Sequence, residues 1–268
     1  MDLRRRTLAF ACIVVGTLVP LAGGAFLPAD LGASERDLLG LLGLQLVMVC
    51  IAVGTAAFLP APVVRTLGCP LASPAGRLGW PRLALGAVGL LLVSKGLNEL
   101  LIDFRVRDTG SLAEIDGMLR GARQHAVLLA VFAVGIGPGI AEELLFRGLV
   151  QRTLQLRLPA FAAVAVTAAL FGLVHFDPVH SPIAFGLGLY LGAVGVLAGN
   201  VWAPMLCHVA NNAAAAMNLV ATVPAAASGG IGRSLGLIAG GALVLAGVAG
   251  WARRAQRGLQ RPEQPADP

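Results

Sequence analysis

Long stretches without charge alternate with short polar ones along the whole chain. The apolar runs are Thr7–Ala29, Leu38–Val64, Leu83–Val93 extended to Ile102, Ala126–Ala141, Leu158–Val174, Ser181–Val201, Trp202–Val223 and Leu235–Trp251. A helix needs about 20 apolar residues to cross a bilayer. The pattern therefore predicts an all-α fold, a polytopic membrane bundle of about eight transmembrane helices. Polar punctuation falls at Asp30 to Asp37, at the Pro/Gly-rich stretch Pro70 to Pro81, and at Asp103 to Arg123. Within the last, Leu112–Arg123 is polar on one side and apolar on the other, which suits a short interfacial helix; a plain loop is the alternative. One integral membrane domain follows: membrane helices over 1–110, a core over 111–223, a last helix with its basic flank over 224–260, and a disordered tail over 261–268.

Composition agrees. The chain has 268 residues, 57% hydrophobic and 13% charged, with mean hydropathy +0.80. Soluble domains carry about 25% charged residues, so lipid must solvate much of this surface. The net charge of +6 asks for no nucleic acid. The basic residues, all Arg except Lys95, cluster beside apolar runs: Arg4, Arg5 and Arg6 before the first, Arg253, Arg254, Arg257 and Arg261 after the last. Both flanks read as cytoplasmic under the positive-inside rule, which makes the number of crossings even. The uncharged stretch from Thr7 to Pro28 exceeds a usual signal-peptide core, so an uncleaved first span is expected. Cys12, Cys50, Cys69 and Cys207 form no CxxC and are read as small apolar residues. The Arg/Ala/Gly-rich composition suits a GC-rich bacterial genome, and hence a multi-pass protein of the inner (cytoplasmic) membrane.

Three polar clusters interrupt this pattern. Glu142 and Glu143 follow directly on an apolar run, with Arg147 four residues after the second. Charges at bilayer depth cost a few kcal/mol or more and are functional by default. Glu143 and Arg147 share a helix face and can pair, while Glu142 points about 100° away and is left for chemistry. The second cluster is Phe171-Gly-Leu-Val-His175. If one helix runs to Arg157, turns at Leu158-Pro159 and a second returns, Glu142 and His175 both lie roughly 22–24 Å from the turn, and so sit level. In the third, His208 and Asn212 share one face of the seventh run; Asn211 points elsewhere. His125 and His180 have no spacing relation to the others and are read as loop or interface residues. Gly135-Ile-Gly137-Pro138-Gly139 predicts a kink or helix restart, with a positive helix end near Glu142. Gly188, Gly192, Gly195 and Gly199 read as a packing stripe, and Lys95 and Glu99 as a structural ion pair.

One free carboxylate, two imidazoles and an amide inside a membrane suit water activation and oxyanion stabilisation, the needs of amide hydrolysis. Glu142, His175 and His208 are also conceivable metal ligands, though without the His-Glu-x-x-His spacing of helical zinc peptidases.

Glu-Glu-x-x-x-Arg at 142–147, Phe-x-x-x-His at 171–175 and His-x-x-x-Asn at 208–212 together resemble the three motifs of the CAAX-protease and bacteriocin-processing (CPBP, or Abi) family, over about residues 124–222. The resemblance implies an eight-helix intramembrane endopeptidase acting on a membrane-associated protein or peptide. It implies that Glu142 and His175 activate water, that His208 and Asn212 hold the oxyanion, and that Glu143 and Arg147 support them. The family is described both as metalloproteases and as metal-free glutamate proteases. With one unpaired carboxylate the sequence favours the metal-free form, with a divalent metal such as zinc as the alternative. Two other classes compete. A transporter would use the buried Glu and His as an ion site, but only one broken helix is apparent where inverted repeats would give two. A non-catalytic scaffold would not need the complete motif set.

Overall fold

A computed structural model describes residues 32–70, 73–106, 109–121, 127–220 and 230–259. The Thr7–Ala29 run, His125 and the 261–268 tail lie outside the described residues. Among the described residues the fold is all-α, with helices α1 (Ala33–Phe58), α2 (Trp80–Asp103), α3 (Gly110–Gly121), α4 (Val127–Leu154), α5 (Ala160–Leu173), α6 (His180–Ala198), α7 (Trp202–Val220) and α8 (Gly230–Leu259).

Local chemistry sets the helix ends. Glu35 turns back to accept the Gly32 N–H at 2.6 Å and so closes the start of α1. Pro81 occupies the first turn of α2, where its missing N–H costs nothing. α6 stops at Gly199, whose φ of +77° is a left-handed cap.

Five helices, α1, α2, α4, α6 and α8, are long and apolar enough to cross a membrane. Of the eight expected spans, Thr7–Ala29 lies outside the described residues, and two of the other seven, α5 and α7, fall short of this measure of length and hydropathy. α5 has 14 residues, about 21 Å of helix against a hydrocarbon core of about 30 Å. α7 has 19 residues but carries His208, Asn211, Asn212 and Asn218, which break its apolar character. Leu112 to Gly121 are helical, within α3, and the rest of the expected interfacial segment lies outside the described residues.

Close helix approach rests on glycine. A β-carbon at Gly241 would meet the Gly89 carbonyl at 2.6 Å, so α2 and α8 touch backbone to backbone. The α6 stripe does the same against α5: Gly188 lies on Ala168 and Gly192 on Val164. On α4, Gly135 lies on Ala213 and Gly139 on Val209 of α7.

Of the kink or restart expected at the Gly-Pro segment, the restart does not occur. The chain does not break there: α4 runs unbroken from Val127 to Leu154. Residues Val131–Ile136 widen into π-type turns, Gly137–Glu142 are α-helical, and Glu143–Gln151 are π-type again. In an i→i+5 turn the N–H of residue 138 would bond the Ala133 carbonyl, but proline has none. The side chain of Gln45, from α1, supplies it instead: Nε2 donates to the Ala133 oxygen at 2.7 Å. Gly137 leaves room for that side chain. No free positive helix end forms beside Glu142.

The helix ends sort into two groups. At one end Arg152 donates to the Thr66 carbonyl at 3.1 Å, the Val201 N–H to Gly68 at 3.0 Å, and the Trp202 indole to Pro70 at 3.1 Å. Arg82 of α2 lies 4.0 Å over the Trp251 ring of α8. The α4–α5 and α6–α7 turns, the end of α1, the start of α2 and the end of α8 therefore share this end. The starts of α1 and α8, the end of α2, α3 and the α5–α6 turn share the other. There Arg233 of α8 joins the Lys95–Glu99 pair, at 3.4 Å from Glu99.

Candidate active site

The second π-type stretch of α4 builds the site's base. Its wide turns keep positions four apart nearly in register, so Glu143, Arg147 and Gln151 form one buried row facing α6. Arg147 Nη1 donates to Glu143 Oε1 at 2.7 Å, with both side chains 1% exposed or less. Arg147 Nη2 donates to the Gly188 carbonyl at 3.2 Å and Gln151 Nε2 to the Gly192 carbonyl at 3.1 Å. The glycine stripe thus offers accessible carbonyls as well as close packing.

The same Glu143 oxygen receives His208 Nδ1–H of α7 at 2.9 Å. Glu143 therefore bridges α4 and α7 and is held by two donors. His208 is 2% exposed, and its Nε2 faces Glu142 Oε2 at 3.8 Å. Glu142 keeps 18% of its side chain exposed. The division between a paired Glu143 and a Glu142 turned elsewhere is present in the fold.

His175 follows directly on α5. Its Nδ1–H donates to the Phe171 carbonyl at 2.7 Å, which leaves Nε2 with its lone pair. His175 lies within electrostatic reach of Glu142, as does His208. Phe171 joins the parts: its ring meets those of His175, His208 and Phe146 edge-to-face at 5.2, 5.9 and 5.1 Å, and the Arg147 guanidinium sits 4.4 Å above it.

Asn212 stands one turn beyond His208. Its Oδ1 accepts from Asn211 at 3.2 Å, and Asn211 in turn accepts from Ser94 of α2 at 2.6 Å. This small chain ties α7 to α2.

Spacing did not reveal His180. Its ring packs 4.4 Å from that of His175, and its Nδ1 lies 3.1 Å from Ser111 Oγ of α3. Asp177 underlies both: one oxygen accepts the Val179 and His180 N–H groups at 2.9 and 2.6 Å, the other the Ser111 N–H at 2.9 Å. These bonds hold its carboxyl well below the usual range, at about 2. Gly110, at φ +63°, lets the α3 start approach the carboxylate closely. The available signal was Asp177 three residues before His180, a capping arrangement.

Among the described residues no three His, Cys, Asp or Glu side chains converge as a metal-ligand group. His208 has one nitrogen committed to Glu143 and His175 one to a carbonyl.

Residues 124–214 match the family model described as "Type II CAAX prenyl endopeptidase Rce1-like". That window holds all three motifs. Over these residues the chain is similar to the type II CAAX endopeptidases. A relative from Bacillus subtilis (strain 168), named "Putative membrane peptidase YdiL", is 24% identical over 129 residues, 48% of this chain and 52% of that protein. The chain thus spans about half the length of the curated relative it matches. No solved structure matches it. Its five long apolar helices, with this likeness to membrane peptidases, mark it as an integral, multi-pass membrane protein.

Proposed function

We propose that the protein is an intramembrane endopeptidase that hydrolyses a peptide bond in a membrane-associated protein or peptide. The observation that carries this reading is His208 Nε2 facing Glu142 Oε2 at 3.8 Å, with His175 within electrostatic reach of the same carboxylate and with Glu143 and Arg147 buried behind them. Glu142 and His175 Nε2 together accept a proton from the attacking water. The oxygen adds to the scissile carbonyl, and Glu142 passes the proton on to the leaving amine. His208, anchored through Nδ1–H to Glu143, in its imidazolium form donates Nε2–H to the developing oxyanion. Asn212, on the same face of α7, is the second donor. The steps written here use protein groups alone, and the bound-metal measurement below tests that choice.

The test compares wild type with Glu142→Gln, His175→Ala and His208→Ala on a library of membrane-anchored peptides in detergent, together with bound metal. Loss of general acid–base help lowers kcat by about 10²–10⁴. Equal cleavage by all three variants, or no cleavage of any member by wild type, refutes the reading. Stoichiometric zinc lost in the histidine variants overturns the metal-free chemistry.

A further inference from the structure

The arrangement of the helix ends gives this site an orientation, and with it a substrate class. It rests on the peptidase reading for its chemistry but on separate observations for its geometry.

The first observation is where the site is closed. Below Glu142, towards the end where the α4–α5 and α6–α7 turns lie, successive layers are sealed: Glu143 at 0% exposure, Phe171 at 1%, Arg147 at 2% and Gln151 at 3%. The gap left in this floor, between Arg147, Gln151 and Asn200, is ≈ 20 Å³, room for about one water and for no peptide.

The second is where it is open. α5 ends at the level of the site, whereas α4 and α7 continue well past it. His175 lies in the α5–α6 turn, and beside it stand Leu173 at 65%, Val174 at 43% and Phe176 at 91% exposure. Phe176 holds φ +47°, uncommon for a non-glycine residue and most frequent at working sites. A mouth edged with exposed apolar side chains fits a segment that enters from lipid.

The third is charge. Arg65, Arg77, Arg82, Arg152 and Arg157, with Arg253, Arg254 and Arg257 in the last turns of α8, all stand at the sealed end. Among the described residues no carboxylate accompanies them. Among the described residues the open end carries Arg36, Lys95, Arg105, Arg120 and Arg233, mixed with Glu35, Asp37, Glu99, Asp103, Glu114, Asp116 and Asp177. Excess arginine marks the cytoplasmic side.

We infer that the active site opens towards the extracytoplasmic face. The substrate would be a peptide or protein whose scissile bond lies at the outer end of an apolar segment, reached from outside the cell or laterally from the outer leaflet. A cytoplasmic protein with a lipidated C-terminus would meet the sealed arginine end instead.

The experiment uses the full chain in intact bacterial cells, with Cys12, Cys50, Cys69 and Cys207 each replaced by alanine. Single probes are Phe176→Cys at the mouth, Glu114→Cys on α3 and Arg157→Cys at the sealed end. A membrane-impermeant maleimide should label the first two in intact cells and the third only after permeabilisation. A membrane-anchored reporter should be cut when its scissile bond is outside and stay intact when it is inside. Labelling of Arg157→Cys in intact cells, with Glu114→Cys protected, overturns the inference, as does cleavage confined to the inside reporter. If detergent-solubilised wild type cleaves nothing, the peptidase reading falls, while the labelling still decides the orientation.

Discussion

Arg147→Met removes the positive charge at the base of the site and nearly preserves volume. Its partner Glu143 is fully buried at 2.7 Å, so the substitution strands a carboxylate in a medium that cannot hydrate it. Breaking a buried pair from one side costs about 3–5 kcal/mol. The lost contact between the guanidinium and the Phe171 ring, 4.4 Å away, falls within that range. For a chain of this size 1 kcal/mol shifts Tm by about 2–4 °C, so thermal unfolding in detergent should move down by roughly 10 °C. Adding Glu143→Gln removes the stranded charge, while the amide oxygen can still accept His208 Nδ1–H. The double variant should therefore recover much of the loss, a coupling of about 1–3 kcal/mol. An Arg147→Met midpoint within ~2 °C of wild type would mean a cost of no more than ~1 kcal/mol and would refute the buried-pair argument. So would a double variant whose loss equals the sum of the singles.

Gly139→Val should push α7 off α4, because even a β-carbon would stand 2.8 Å from the Val209 nitrogen; activity should vanish, and retained cleavage would show that α7 can shift without harm. His180→Phe keeps a ring against His175 but loses the Ser111 bond, so kcat should fall with KM little changed, whereas His180→Asn should fall further because the ring contact goes as well; equal kinetics for all three proteins would remove His180 from any positioning role. Asp177 has a folded pKa of about 2, below the usual 3.9 or so, so its contribution to stability is complete above that ordinary value and is lost as pH falls towards 2. Asp177→Asn should flatten the stability–pH curve between pH 4 and 2, measured by Tm against pH; an unchanged slope contradicts the assignment.

Much of the site was legible because its chemistry is costly in lipid. Charged residues stand out in an apolar run, and helical periodicity separates Glu142 from Glu143 without any coordinates. The Glu143–Arg147 pair is local at i, i+4, so sequence suffices to place it. What sequence could not give is non-local. Glu143 bonds His208 across 65 positions, and nothing in the spacing says that one carboxylate oxygen serves two donors. His180 was passed over for the same reason: its partners Ser111 and His175 come from α3 and the end of α5. The apolar runs Leu158–Val174 and Trp202–Val223 do become helices, α5 and α7, but a run of apolar residues does not tell a full span from a short helix or from one that carries the site's polar groups.

The exchange between Gln45 and Pro138 has a consequence for assembly. Helix α4 contains a π-type stretch whose missing hydrogen bond is made by another helix, so α4 alone in lipid would carry an unsatisfied carbonyl at Ala133. Chains enter the membrane from the N-terminus, so α1 arrives before α4 and its amide is already waiting. An α1 lacking Gln45 would leave the π-type stretch to form late or in another place, and the carboxylates that follow it would be set at the wrong depth. Biogenesis order is thus built into α4.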